Sequence, residues 1–168
     1  MEEIIYTIIL LVVMVFMVLM VARIRKKGTA KVFDERQLII RGKAYKYGFF
    51  SALAALAVLI FCNAVLSFDM LLFGAASCMF FGLTVFAVYC IWNDAFLSFK
   101  QKPSSYLLIG GIVIVVNGSG VVKRLVEGTE IAELLNDVFC LNILCAAAFM
   151  VIEITIAIKL IASRRENE

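Results

Sequence analysis

The chain has 168 residues, 64% of them hydrophobic and 17% charged, with a formal net charge of +3 and a mean hydropathy of +1.02. That balance excludes an ordinary water-soluble domain and a disordered segment, and places the chain in the membrane class. Its apolar residues come in continuous rather than alternating runs, which selects helices over a β-barrel, since lipid leaves no water to satisfy an open backbone.

Five runs have about the length needed to cross a hydrocarbon core of ~30 Å: 4–22, 48–68, 70–91, 106–122 and 138–161. The prediction is an all-α integral membrane bundle of five transmembrane helices, with residues 1–168 as a single membrane domain. The remaining residues are divided among short connections, too few in any one place for a separate soluble core.

The run at 4–22 follows an acidic Met-Glu-Glu start and lacks an Ala-x-Ala cleavage site, so it reads as a retained helix rather than a signal peptide. Few small or polar residues interrupt it, which suits a peripheral position. Residues 31–47 then form a cytoplasmic amphipathic collar. Asp34 and Glu35 stand where acids favour a helix N-terminus, and Arg36, Arg41, Lys43 and Lys46 follow, so one helix is expected to start near 33 and continue into the run at 48–68.

Ser67-Phe68-Asp69 alone joins the second and third helices, a connection so short that they must form an antiparallel hairpin. Gly48, Ser51, Ala52 and Ala55 on one run, with Gly74, Cys78 and Gly82 on the other, allow close backbone approach. Tyr89 and Trp92 end the third run as interfacial aromatics do.

The fourth run is the shortest, and Gly110-Gly111 and Asn117-Gly-Ser-Gly120 are expected to interrupt it. An unwound stretch there would offer carbonyls to an ion. Beyond it, Ile131, Leu134, Leu135 and Val138 are spaced i, i+3, i+4, i+7 among glutamates, the pattern of a short amphipathic surface helix. In the fifth run Asn142, Cys145, Ala146, Phe149 and Glu153 share one face and are expected to point into the bundle. Glu153 costs roughly 2–3 kcal/mol to insert at that depth, which makes it a functional candidate. Two roles stay open for it: an ionised group on a transport path, or a protonated acid hydrogen-bonded inside the bundle. Lys159, six residues further on, is expected to reach the cytoplasmic surface.

All five cysteines lie in apolar runs and no CxxC pair occurs, so neither a disulfide framework nor a zinc site is expected. The absence of histidine removes the commonest general base and metal ligand, and no nucleophile elbow or phosphate-binding glycine loop is present. No catalytic residue, cofactor or metal is therefore assigned. The basic excess is a matter of topology rather than nucleic-acid binding. Fourteen Lys and Arg residues fall in 23–47, 92–105 and the C-terminal end, against Lys123 and Arg124 on the opposite side, which predicts the N-terminus outside and the C-terminus inside. A collar this basic would also attract anionic lipids of the cytoplasmic leaflet.

Two segments carry a resemblance: Asp34-Glu-Arg-Gln37 with Arg41-Gly-Lys-Ala-Tyr-Lys-Tyr-Gly-Phe-Phe50, and Trp92-Asn-Asp-Ala-Phe-Leu-Ser-Phe-Lys-Gln-Lys-Pro103. Together they resemble a family of uncharacterised small multi-pass membrane proteins of Gram-positive bacteria, with a DERQ-type segment before one helix and an Asp-Ala-aromatic segment after the next. The resemblance implies a bacterial plasma membrane and a link to regulators or export systems; it implies no activity. Both segments are expected at the inner end of the hairpin, where Asp34, Glu35, Arg36 and Arg41 would meet Asp94, Lys100 and Lys102 in a charged cluster, with Arg41 near Asp94. The functional expectation is a non-enzymatic regulatory or accessory protein docking a partner there. The alternative is a small oligomeric transporter or channel using Glu153, Asn142 and a glycine-broken fourth helix.

The charge split yields a direct test. Single cysteines at positions 104 and 130 in a cysteine-free background should be labelled from opposite sides of the membrane, and same-side labelling would remove the span at 106–122.

Overall fold

The computed structural model describes residues 33–66, 71–97 and 103–165. The run at 4–22 lies outside the described residues, as do Lys100 and Lys102. Among the described residues there is no strand, and the chain forms five helices: α1 (Glu35–Leu66), α2 (Leu71–Trp92), α3 (Pro103–Val126), α4 (Ile131–Asn136) and α5 (Cys140–Arg165). Four of them, α1, α2, α3 and α5, are long and apolar enough to cross a membrane.

Helix α1 unites the collar and the second apolar run in 32 continuous residues, about 48 Å at 1.5 Å per residue. It starts with a capping box. Asp34 Oδ1 accepts the Gln37 backbone N–H at 2.5 Å, while Gln37 Oε1 accepts the Asp34 N–H at a longer 3.4 Å. The end of α2 is set by a Schellman turn. The Ala95 N–H reaches the Cys90 carbonyl at 2.8 Å, the Asp94 N–H reaches that of Ile91 at 3.2 Å, and Asp94 takes φ +56° at the position glycine usually fills. Ala95 and Cys90, the two residues that touch in such a turn, are both fully buried.

The same device closes α3, where Gly128 at φ +89° lets the Thr129 N–H reach the Arg124 carbonyl at 3.1 Å. Helix α3 also begins on Pro103, at the first helical position, where a missing N–H costs nothing.

The helices pack in a row, α1 on α2, α2 on α5 and α5 on α3, with α4 lying against α2 and α5. Small residues decide who approaches whom. A Cβ on Gly48 would lie 2.7 Å from the Gly82 carbonyl oxygen, and one on Gly82 would lie 2.7 Å from Ala52 Cβ, so α1 and α2 touch through backbone at this crossing. Tyr45 stacks on Phe86 at 4.4 Å, and Tyr47 meets Tyr89 at 4.9 Å, beside it. On the other flank Gly110 faces Glu153 and Gly120 faces Asn142, the order that antiparallel α3 and α5 require.

The expected break in the fourth span does not occur: α3 is one continuous helix of 24 residues. Its polar groups are satisfied along the helix itself. Asn117 Nδ2 donates to the Val113 carbonyl at 2.8 Å and Ser119 Oγ to that of Val116 at 2.9 Å, so these residues need no unwound backbone. Gly110 serves close packing instead, since a side chain there would overlap Glu153. In α4 the amphipathic spacing is realised by Leu134 alone, 1% exposed, while Ile131 and Val138 remain open.

The glycine geometry predicts a contrast. A methyl group added at Gly42 would meet nothing within 4 Å, so Gly42→Ala should stabilise α1 by up to ~1 kcal/mol. Gly48→Ala should instead lower the melting temperature in detergent, because its Cβ meets α2 backbone; equal melting of the two variants would remove this crossing.

Candidate functional site

The site is where the capped ends of α1 and α2 meet. The capping box places the Gln37 side chain on the α2 side of α1, 7% exposed, and its amide crosses to the chain after α2. Nε2 donates to the Asp94 carbonyl at 2.8 Å and to the Leu97 carbonyl at 3.2 Å. With Oε1 accepting from Asp34, both donors and the acceptor of one buried side chain are satisfied. Arg41, one turn further along α1, donates from Nη1 to the Ala95 carbonyl at 3.2 Å. Its guanidinium lies 4.3 Å from the centre of the Phe33 ring.

Helix α5 adds Lys159. Its ammonium donates to the Trp92 carbonyl at 2.9 Å, an orphan acceptor at the α2 C-terminus, and pairs with Asp94 Oδ2 at 3.2 Å. Arg41 thus lies near Asp94, as expected, bonded to the carbonyl of the next residue, but the carboxylate pairs with Lys159. Lys159 takes the carboxylate because Asp94 occupies the left-handed cap position at the end of α2, beside α5, while Arg41 is held by a carbonyl and two rings. The reading of Lys159 as a residue that only reaches for the surface is corrected in the same way: it spans to α2.

Around these groups lies a half-open cavity of about 350 Å³. Ile91, Phe96, Leu97, Ile156 and Leu160 supply its apolar wall; Gln37, Asp94 and Lys159 supply polar groups at one side. Phe96 stands edge-on to Tyr106 at 5.6 Å, which ties the start of α3 to this end of the bundle. Of the sequence-predicted residues, Asp34, Arg41 and Asp94 come together here with their polar groups engaged in the fold. Glu35 and Arg36 are exposed on the first turn of α1. Gln37 and Lys159 were missed as site residues. The D-x-x-Q spacing of Asp34 and Gln37 marked the cap, but nothing local to Gln37 or Lys159 indicated their partners, 57 or more residues away along the chain.

Along the bundle axis the described charges separate. Arg36, Arg41, Lys159, Arg164 and Arg165 belong to the site end. Lys123, Arg124, Glu127 and Asp137 belong to the other, where Lys123 sits 3.9 Å from Glu127 and Arg124 sits 3.7 Å from Asp137. Within the bundle, Glu153 packs against Gly110, and its Oε1 is buried without a hydrogen-bond partner among the described residues. Asn142 lies one α3–α5 contact away, opposite Gly120.

Compared with known proteins, the chain matches no family model, no curated protein and no solved structure.

The geometry makes two measurements decisive. Gln37→Leu leaves the Asp94 and Leu97 carbonyls without their donor and should cost ~1–3 kcal/mol of stability. In double-mutant cycles, Asp94 and Lys159 should show a coupling of ~0.2–1 kcal/mol, the range for a pair whose acid is largely exposed, whereas Arg41 and Asp94 should show none. The reverse pattern would reassign the ion pair.

Proposed function

We propose that the chain is an integral membrane protein of accessory or regulatory kind, without catalytic chemistry of its own, which docks a protein partner on the end built from Gln37, Arg41, Asp94 and Lys159. The proposed setting is a bacterial plasma membrane, with the N-terminus outside and this end in the cytoplasm; the charge split and the resemblance support it.

The observation that carries the reading is the clasp around Gln37. A buried, fully bonded amide holds the ends of α1 and α2 in one arrangement, so the exposed charges of Glu35, Arg36 and Asp94 sit on a fixed rim. A surface already ordered loses little entropy on binding. Charged rims of this kind set partner choice and encounter rate more than affinity.

A transporter or channel is the second reading, and Glu153 is the observation in its favour. A carboxyl oxygen buried between two helices without a partner among the described residues costs stability, and acids at membrane depth commonly mark ion or proton paths. The continuity of α3 removes the broken-helix form of that reading.

A photo-crosslinking residue at position 36, in the full-length chain in its native host, should give one discrete adduct that Glu35→Lys abolishes, while the same probe at position 126 gives none. Adducts only between copies of the chain would replace the partner with a homo-oligomer. Flux above background in reconstituted vesicles, lost in Glu153→Gln, would overturn the docking reading in favour of transport.

A further inference from the structure

The cavity beside Asp94 and Lys159 offers a chemistry beyond the charged rim proposed for a protein partner. Its wall is apolar, and Ile91 and Ile156 are each only 5% exposed. At its polar side stand one carboxylate and one ammonium 3.2 Å apart. Two of the three Lys159 N–H groups go to the Trp92 carbonyl and Asp94 Oδ2; among the described residues the third N–H and Asp94 Oδ1 take no hydrogen bond. One donor with positive charge and one acceptor with negative charge are thus presented side by side above a greasy wall.

An anion alone would meet repulsion from Asp94, whose side chain is 66% exposed, and a cation alone would meet it from Lys159. A neutral apolar guest would strip water from both charged groups and replace none of its hydrogen bonds. The complement is a group carrying both signs at similar separation, with the ammonium set against Asp94 and the anion against Lys159, so that four charges alternate and the internal pair stays intact. Such a head joined to hydrocarbon would use the wall as well. About 350 Å³ lies near the lower limit of ligand pockets, enough for a head and its first carbons, and the open side lets longer chains leave.

Trp92 is half exposed next to the site, with the Lys159 ammonium 6.0 Å from its ring centre, the placement that interfacial tryptophans adopt at headgroup level.

We infer that this cavity binds one zwitterionic phospholipid of the phosphoethanolamine type, with Asp94 receiving the ammonium N–H groups and Lys159 the phosphate. A primary ammonium fits better than a quaternary one because Asp94 Oδ1 needs a donor. The inference rests on the membrane setting proposed above; it shares Asp94 and Lys159 with the end proposed for a protein partner, whereas the docking reading is probed at Glu35 and Arg36.

Trp92 is the chain's single tryptophan and therefore a built-in reporter. The full-length protein is placed in nanodiscs of mixed phosphatidylethanolamine, phosphatidylcholine and phosphatidylglycerol, with chain-brominated lipid supplied in one class at a time at equal mole fraction. Trp92 should be quenched most by the ethanolamine lipid. Asp94→Asn, which keeps a residue tolerant of the left-handed cap, should reduce that preference over phosphatidylglycerol by up to roughly fivefold, the limit for an exposed charge. Leu160→Phe, which narrows the wall and spares both charges, should reduce quenching by all three classes. Equal quenching by the three lipids, a preference for phosphatidylglycerol, or a preference unchanged in Asp94→Asn would each overturn the inference. In detergent, displacement of the brominated lipid by free phosphoethanolamine at matched concentration would assign the site to a soluble head instead and overturn the lipid assignment. Cross-linking at position 36 reports the docking reading separately, so loss of lipid selectivity with the adduct retained would sink the lipid site alone.

Discussion

The amide of Gln37 does at one point what loops and long-range packing usually share. Its carbonyl oxygen helps start α1, and its two N–H groups hold the carbonyls of Asp94 and Leu97 just beyond the end of α2. Buried in low dielectric, such a group is stable only if every donor and acceptor is met, and here they are. Because the two helices run antiparallel, fixing the N-terminus of one to the C-terminus of the other also fixes their register. The Gly48–Gly82 crossing, about three turns away along α1, can then bring backbone to backbone without sliding.

Each neighbouring interaction follows from where that clasp puts the α2 terminus. The Schellman turn satisfies the Cys90 and Ile91 carbonyls, leaves that of Trp92 for another donor, and sets Asp94 in a left-handed conformation, with its carboxylate paired to α5 rather than α1. Lys159 answers both features with one ammonium, capping the Trp92 carbonyl and pairing with the acid. Arg41 is left to a carbonyl and the faces of two rings, a setting that suits a planar, weakly hydrated cation. The start of α1 and the end of α2 are thus the two halves of one joint that bond to each other, and capping chemistry accounts for Asp34, Gln37 and Asp94 before any partner is invoked.

The other flank obeys a different rule. Between α3 and α5 the approach is governed by small residues, with Gly110 making room for Glu153 and Gly120 facing Asn142. A buried acid oxygen without a partner sits uneasily in such an interface, since most buried polar atoms are bonded. The rigid joint and this apolar interface lie on opposite sides of the central α2–α5 contact.

Apolar runs of membrane length, the continuity of collar and second run signalled by Asp34 and Glu35, the antiparallel hairpin and its small-residue face, and the polar stripe of the fifth run were all legible in the sequence, because each depends on spacing within one helix or on a connection too short to permit an alternative. The fate of the glycines in α3 was not. Whether Gly110 breaks a helix or admits a neighbour depends on Glu153, 43 positions along the chain. The same holds for the ion pair, where Asp94, Arg41 and Lys159 offer two opposite-charge pairings with no local reason to choose. The choice belongs to tertiary structure because it turns on the left-handed backbone at Asp94 and on which helix lies beside it, and neither quantity is a property of any single stretch of sequence.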